Sequence, residues 1–289
     1  MSEAEVVVVG SVNVDLTVDV DRPPVRGETV LGGSVAQGPG GKGANQAVAL
    51  ARLGRRVAMV GATGRDAAGD AARAVLAAEG VATEHIGYEA APTGLAVVLR
   101  DSGADSTIVV APGANALLSP ATVTAAAPVL GAARAVMCQL ETPVAAVAAA
   151  AAATQGLFVL NPAPATPLPA SLLDRVDLLV PNRHELAALT GTDQVEEAVR
   201  RLRVPRLVVT LGADGCLVHE DGRLVRVPAA PARARDTTAA GDSFCAALVA
   251  ALLDGGSLVA AAEWATRAAA LTTTRTGAML SLPRLAELG

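Results

Sequence analysis

The sequence predicts an α/β protein: a three-layer architecture in which a mostly parallel sheet is flanked by helices, with a small β-sheet lid lying outside it. Three observations predict it. Short Val- and Leu-rich runs alternate with Ala-rich helical stretches through most of the chain, the pattern of parallel strands joined by helical crossovers. The first run, Val6–Val9, is continuous and β-branched, as a strand buried on both faces must be. Two runs of alternating apolar character, 94–100 and 106–111, are joined by Asp101-Ser102-Gly103-Ala104-Asp105 and read as a hairpin.

In chain order, Gly10 ends the first strand, and Asn13 and Asp15 follow where ligands bind in open α/β sheets, outside the carboxyl ends of strands. Residues 21–37 are rich in Pro, Gly and small apolar residues and read as short exposed strands; with 94–111 they form the lid. Gly38-Pro39-Gly40-Gly41-Lys42-Gly43 then opens a helix that Gly54 closes. Next come a strand at 56–61, a helix at 67–79 with Gly80 behind it, and the hairpin. Strand 135–140, helix 143–153, strand 157–160 and the Pro-rich loop 161–169 continue the alternation. Strand 178–180 leads through Pro181-Asn182-Arg183-His184-Glu185 into a short helix, and strand 207–210 ends at Leu211-Gly212. A second hairpin, 216–219 and 224–227, turns at Asp221-Gly222. Two helices close the chain after Asp236-Thr237-Thr238-Ala239-Ala240-Gly241-Asp242. No internal repeat and no long linker divides it, so residues 1–289 read as a single domain, with the lid from segments near 15–37 and 94–111.

Composition narrows the function. The chain has 289 residues, is 52% hydrophobic, and carries only one Trp, one Tyr and two Phe, so its core must be built from Ala, Val and Leu. A net charge of −5 with scattered Arg offers no basic surface for nucleic acid. Apolar runs are too interrupted for a membrane span, and the acidic start Met1-Ser2-Glu3-Ala4-Glu5 lacks the basic segment of a signal peptide, so a cytoplasmic location is expected. Three dispersed cysteines (Cys138, Cys216, Cys245) and three dispersed histidines (His85, His184, His219) show neither disulfide nor zinc spacing; the thiols are expected to be buried.

Two helix entries carry the chemistry. A helix start leaves backbone N–H groups without partners and concentrates positive dipole there, which suits an anion. Ala239, Ala240 and Gly241 are small enough to let a phosphate approach, with Asp242 among the donors. The Gly40–Gly43 entry adds a cation, Lys42, and an amide, Asn45. It is not a Walker A loop, because the Lys-Ser/Thr pair is missing, and Gly-x-Gly-x-x-Gly is missing too. Asn13, Asp15, Glu141, Asn161, Asn182, Glu185, Thr210 and Asp236 all fall at or just after strand ends, describing one polar crevice. Two anion cradles, a carboxylate beside one, and groups suited to hydroxyls imply a phosphoryl donor and a polyhydroxylated acceptor.

Residues 40–47, Gly-Gly-Lys-Gly-Ala-Asn-Gln-Ala, and 236–244, Asp-Thr-Thr-Ala-Ala-Gly-Asp-Ser-Phe, resemble the two signatures of the ribokinase-like (PfkB) carbohydrate kinases. Segments 10–15, 110–115, 160–165 and Pro181-Asn182-x-x-Glu185 resemble the corresponding segments of that family's ribose branch, so the likeness covers essentially the whole chain. Ala239, where much of the family has Gly, favours that branch. The resemblance implies a Rossmann-like core with a β lid and ATP-dependent phosphorylation of D-ribose at O5. It places Asn13, Asp15, Gly41, Lys42, Asn45 and Glu141 on the sugar, Asp242 as general base, and Ala239, Ala240 and Gly241 as the anion hole. It further implies Asn182 and Glu185 organising Mg²⁺ and phosphate through water, with Thr210, Gly212, Gly241 and Thr266 at the nucleotide. An activating K⁺ would take Asp236, Thr238, Thr272, Gly277 and Ser281, and a homodimer would form through the lid sheets. Other readings are a kinase of the same fold for fructose or adenosine, a silent sugar-binding regulator, and a nicotinamide-dependent dehydrogenase. Sparse aromatics speak against a nucleoside, retention of Asp242 and Lys42 against a silent protein, and the missing glycine turn against a dehydrogenase.

Overall fold

Val6–Val9 (β1) lies inside a nine-stranded sheet, paired in parallel with strands on both sides, in a computed structural model that describes residues 4–101 and 106–289. The acidic start 1–3 and the hairpin tip 102–105 lie outside the described residues. The further strands are β2 (Asn13–Asp19), β3 (Val35–Gly40), β4 (Val57–Gly64), β5 (Val81–Glu89), β6 (Gly94–Arg100), β7 (Ser106–Ala111), β8 (Ala135–Cys138), β9 (Leu157–Leu160), β10 (Leu178–Leu179), β11 (Arg206–Thr210), β12 (Cys216–Glu220) and β13 (Arg223–Val227). The helices are α1 (Lys42–Arg52), α2 (Ala67–Ala78), α3 (Pro120–Ala125), α4 (Ala127–Ala132), α5 (Val144–Ala153), α6 (Ala170–Leu173), α7 (Arg183–Thr190), α8 (Val195–Arg201), α9 (Ala240–Leu253) and α10 (Leu258–Thr273).

The large sheet runs β13-β12-β11-β10-β9-β8-β1-β4-β5, parallel from β11 to β5, with the β12–β13 hairpin antiparallel at one edge. Strand pleating divides β1 between two cores. Val6 and Val8 pack with α1, α9 and α10; Val7 and Val9 pack on the other face with α5, α7 and α8. All four are fully buried, each burial worth roughly 1.5–3 kcal/mol. These are the three layers expected, and Ala-rich α9 and α10 supply small side chains that pack closely in place of aromatics.

The second, four-stranded sheet has order β3-β2-β6-β7. Its hairpin strands β6 and β7 match the expectation, but residues 21–34 form no strand. Pro23 and Pro24 can donate no ladder hydrogen bond, and Arg22 closes the segment on itself through Glu28. The pairing instead falls to β2 and β3, so Asn13 and Asp15, just past the end of β1, lie on a strand of the small sheet. Strand β5 and helices α3, α4, α6 and α8 add elements that periodicity did not announce.

Candidate active site

The carboxyl ends of five neighbouring parallel strands deliver a row of polar side chains. Ser11 follows β1, Gln139 and Glu141 follow β8, Asn161 follows β9, Asn182 follows β10, and Thr210 ends β11. With strands about 4.8 Å apart, the row runs along the sheet edge, with Asn13 and Glu141 at one end and Thr210 at the other. Asn182 and Thr210 also pair as an isolated parallel bridge.

Helices α1 and α9 enter over this row. Gly41 caps α1 with φ +92°, and a side chain there would meet Asn13 N at 2.8 Å and Ser11 O at 2.9 Å, so only glycine fits. Ala239 caps α9 with φ +59°, a left-handed conformation that costs a residue with a Cβ roughly 1–2 kcal/mol. This strain lies at the expected phosphate cradle. In the first turn of α9 the Ala240 N–H is given to Thr237 O (3.2 Å), whereas those of Gly241 and Asp242 precede any intrahelical acceptor.

Asp242 is buried where the two helices meet. Its Oδ2 accepts from Asn45 Nδ2 (2.9 Å) and its Oδ1 from Gln46 Nε2 (3.1 Å). Burial holds its carboxyl above the ordinary carboxylate range, opposed by Lys42 and by the Asn45 and Gln46 amides. Glu141 Oε2 accepts from Ser11 Oγ (2.5 Å), the Lys42 backbone N–H (3.0 Å) and, more loosely, Asn13 Nδ2 (3.5 Å). Asn13 Oδ1 in turn accepts from Asn115 Nδ2 (2.7 Å); the Asn115 amide also brackets the Val12 backbone, its Oδ1 accepting from Val12 N (2.9 Å) and its Nδ2 donating to Val12 O (3.1 Å).

Lys42 lies among carboxylates. Burial alone would lower its ammonium, but Asp242, Glu141 and Glu185 hold it above the ordinary lysine value. Asp15 shares this cluster: its carboxyl is pushed up to about 7 by burial, then by Glu141 and Asp242, against Lys42. Asp15 Oδ1 is buried with no hydrogen-bond partner among the described residues, and Gly40 faces the carboxyl group so closely that any side chain there would displace it. Asp15 is therefore a polar group awaiting a donor.

Asn182 and Glu185 form a capping box at the start of α7: Asn182 Oδ1 accepts from Glu185 N (2.9 Å), and Glu185 Oε2 accepts from Asn182 N (2.8 Å). Burial raises the Glu185 carboxyl, with the Asn182 N–H opposing. Beyond them lies a cavity of about 550 Å³, lined by Asn182, Thr210, Gly212, Gly241, Phe244 and Thr266 among others, a size suited to a nucleotide. The structure thus brings the expected nucleotide residues around one cavity that opens onto the α9 entry.

Asp236, also buried, ties the loop ahead of α9 together. Its Oδ1 accepts from Thr238 N (2.9 Å), and its Oδ2 from Gly277 N (2.9 Å) and from Arg100 Nη1 (3.3 Å). Although burial opposes ionisation, these donors hold its carboxyl below the ordinary range. Thr272 hydrogen-bonds Ser243 Oγ (2.8 Å) on α9, and the Ser281 hydroxyl donates to Ala278 O (2.7 Å). Arg100 also pairs with Asp19 (2.6 Å), so it links the small sheet to this loop. Sequence reasoning missed Ser11, Gln46, Asn115, Gln139 and Arg100 as members of the site. The available hints were the place of Gln46 inside the first helical signature and of Ser11 and Asn115 inside the resembling segments 10–15 and 110–115.

Residues 3–285 match the model of the pfkB family carbohydrate kinases. The chain is 39% identical over 285 residues to the ribokinase of Bacillus subtilis, an alignment that covers 97% of this chain and 97% of that protein. Its fold is similar to that of a ribokinase from Thermotoga maritima, with TM-score 0.91 and 32% identity over 99% of this chain and 98% of the other. It is likewise similar to the ribokinase of Arabidopsis thaliana, solved in complex with ribose and ATP, with TM-score 0.87 and 32% identity over 99% and 97% of the two chains.

Proposed function

The chain belongs to the pfkB family of carbohydrate kinases, and from that premise we propose that it transfers the γ-phosphoryl group of ATP to O5 of ribose. The observation that carries this reading is the position of Asp242: a buried carboxylate at a helix start, between the polar row of Asn13, Asp15, Lys42 and Glu141 and the cavity at Gly241. All 289 residues work as one kinase unit, with the small sheet as its lid.

In this mechanism Asn13, Asp15, Gly41, Lys42, Asn45 and Glu141 hold the sugar, and Asp242 accepts the O5 proton as the oxygen attacks the γ-phosphorus and the bond to ADP breaks. A carboxyl already raised by burial is better matched to that proton than an exposed one. The N–H groups of Gly241 and Asp242, at the entry that Ala239 and Ala240 shape, take up charge on the phosphoryl oxygens, and closure of the small sheet excludes water, suppressing ATP hydrolysis.

Among the described residues no group of three or more His, Cys, Asp or Glu could hold a metal by itself. The single buried carboxylate of Glu185 with the Asn182 amide, beside the cavity, suits Mg²⁺, which is bound through one or two carboxylates, water and substrate phosphates. Glu185 and Asn182 would hold it through water, and its charge offsets that of the phosphates. For K⁺, Asp236, held anionic by the N–H groups of Thr238 and Gly277, would join oxygens of Thr238, Thr272, Gly277 and Ser281 in a hard-ligand set. Because Arg100 already lies at the same carboxylate, K⁺ adds to an existing positive field, and activation over Na⁺ should be several-fold rather than absolute. Asp236→Ala should weaken it; equal rates in the two salts at matched ionic strength would remove the cation from the scheme.

A pH dependence follows from Asp15. Its folded value of about 7 lies above the ordinary 3.8, so its contribution to stability is present at low pH and is lost as pH rises through about 7. Sugar hydroxyls donating to the carboxylate favour the ionised form. Ribose affinity should therefore strengthen as pH rises across about 7, with protons released on binding below it. Calorimetry in buffers of different ionisation enthalpy measures that release, and Asp15→Asn should abolish it; release unchanged in that variant would assign it to another group.

The lid sheet carries exposed Val35, Ile108, Val109 and Val110, which supports its use as a homodimer interface; sedimentation as a monomer at working concentration would refute this. No helix among the described residues is long and apolar enough to cross a membrane. ATP as donor supports a cytoplasmic location, which cell fractionation checks. A coupled ADP assay with ribose, 2-deoxyribose, fructose and adenosine tests the acceptor: ribose is expected to give the highest kcat/KM, and preference for adenosine or fructose would replace it.

A further inference from the structure

Beneath Asp242 lies a chain of buried amides that the phosphoryl transfer does not itself use. Asn161 Nδ2 donates to the Val180 carbonyl (2.8 Å), and Asn161 Oδ1 accepts from Gln46 Nε2 (3.2 Å). The same Gln46 nitrogen donates to Asp242 Oδ1 (3.1 Å), while Gln46 Oε1 accepts from Gln139 Nε2 (2.6 Å). Gln46 and Gln139 have no exposed surface at all.

The polarity of this chain is dictated by groups that cannot turn over. A backbone carbonyl only accepts, so Asn161 must give it the NH₂ group and present its oxygen to Gln46. A carboxylate also only accepts, so Gln46 must present NH₂ to both Asn161 and Asp242, leaving its oxygen for Gln139. Asn45 is held differently. Its Nδ2 donates to Asp242 Oδ2 (2.9 Å), but its own Oδ1 is buried without a partner among the described residues. That single bond is all that orients the amide, because no second partner holds its oxygen as Gln139 holds that of Gln46, and it can turn when another donor or acceptor arrives. The two oxygens of Asp242 are therefore unequal: one locked from below, one held by an exchangeable neighbour.

We propose that Gln46 is a positioning residue that locks Oδ1 of Asp242, so that Oδ2 is the oxygen that takes the acceptor's proton. The inference rests on Asp242 being the base. The Gln46 N–H also favours the ionised carboxylate, which burial opposes. The charged and titratable groups facing Asp242 are Lys42 on α1, Asp15 on β2, Glu141 after β8, Glu185 on α7 and Cys245 on α9 itself. None of them is a hydrogen-bond partner of Gln46, so a shift on changing Gln46 is assigned to the lost bond.

The test is the pH profile of kcat for Gln46→Met, Gln46→Glu and Gln139→Met beside the unaltered enzyme and Asp242→Asn. In Gln46→Met the acidic limb should move up by about one pH unit, with plateau kcat about tenfold lower and ribose KM little changed. Gln46→Glu should move it further, because a second carboxyl faces Asp242. Gln139→Met keeps Gln46 but frees its amide, and should move the limb the same way by less; it and Gln46→Glu carry the test if Gln46→Met does not fold. Acidic limbs that superimpose on the unaltered enzyme's, with Asp242→Asn inactive, would overturn this inference alone. An active Asp242→Asn would overturn it together with the base assignment.

Discussion

Asp242→Asn should lower kcat by about 10² to 10⁴ while leaving ribose affinity and thermal stability nearly intact. At first sight the substitution is not structurally innocent. Two N–H donors, from Asn45 and Gln46, already meet this carboxylate, and an introduced NH₂ would face one of them at a cost of about 1–3 kcal/mol. The structure supplies the escape. Gln46 is fixed by Gln139 and Asn161, but Asn45 has an unpartnered oxygen and can turn its amide to accept from the new NH₂. The change should therefore be absorbed at Asn45, and the melting temperature should fall little. If Asp242 merely closed the helix start, Asn would serve about as well and kcat would not move. Melting curves with and without ribose, read beside the coupled assay, separate the two roles.

Gly43→Ala should combine a stability loss of about 1–3 kcal/mol with an activity loss approaching 10²-fold. Helix propensity predicts the opposite, since Ala is preferred to Gly inside a helix by about 1 kcal/mol. The close approach of α1 to the end of β1 decides the sign. A Cβ on Gly43 would lie 2.6 Å from Ser11 N, 2.7 Å from Gly10 C and 2.8 Å from Gly10 Cα, all backbone atoms that no rotamer change can move. Helix α1 must lift, and it carries Lys42, Asn45 and Gln46 with it, while Ser11 loses its setting beneath Glu141. Gly38→Ala, where a side chain would meet nothing, is the control. Equal melting temperatures and kcat/KM in the two variants would show that the helix entry tolerates the displacement.

Much of this architecture was legible in the sequence, for identifiable reasons. Strands β1, β6, β7, β12 and β13 announce themselves through continuous β-branched or alternating runs, and the β12–β13 turn through Asp221-Gly222, both at positive φ. Helices α1 and α9 were found from glycine and small residues at their entries. Edge strand β5 was not, because residues 81–89 mix Thr, Glu, His and Gly and pair on one side only. Helices α3, α4 and α8 are one to two turns long, too short for a 3.6-residue period to register. Within the site, Glu141 could be placed from a strand end, and Asp242 and the glycines from the helix entries. The supports could not: Gln46 meets Gln139 and Asn161 across 93 and 115 residues, and Arg100 meets Asp236 across 136. Such contacts have no local signature, because tertiary packing alone brings the partners together.

The central claim, transfer of the γ-phosphoryl group of ATP to O5 of ribose, is tested most directly by following ATP and ribose with the enzyme by ³¹P NMR. The account predicts that the γ-phosphorus signal disappears as a phosphomonoester signal grows, split by the pair of methylene protons of the sugar's primary carbon. Inorganic phosphate should stay a minor product. A signal split by a single methine proton, or inorganic phosphate as the main product, would contradict it.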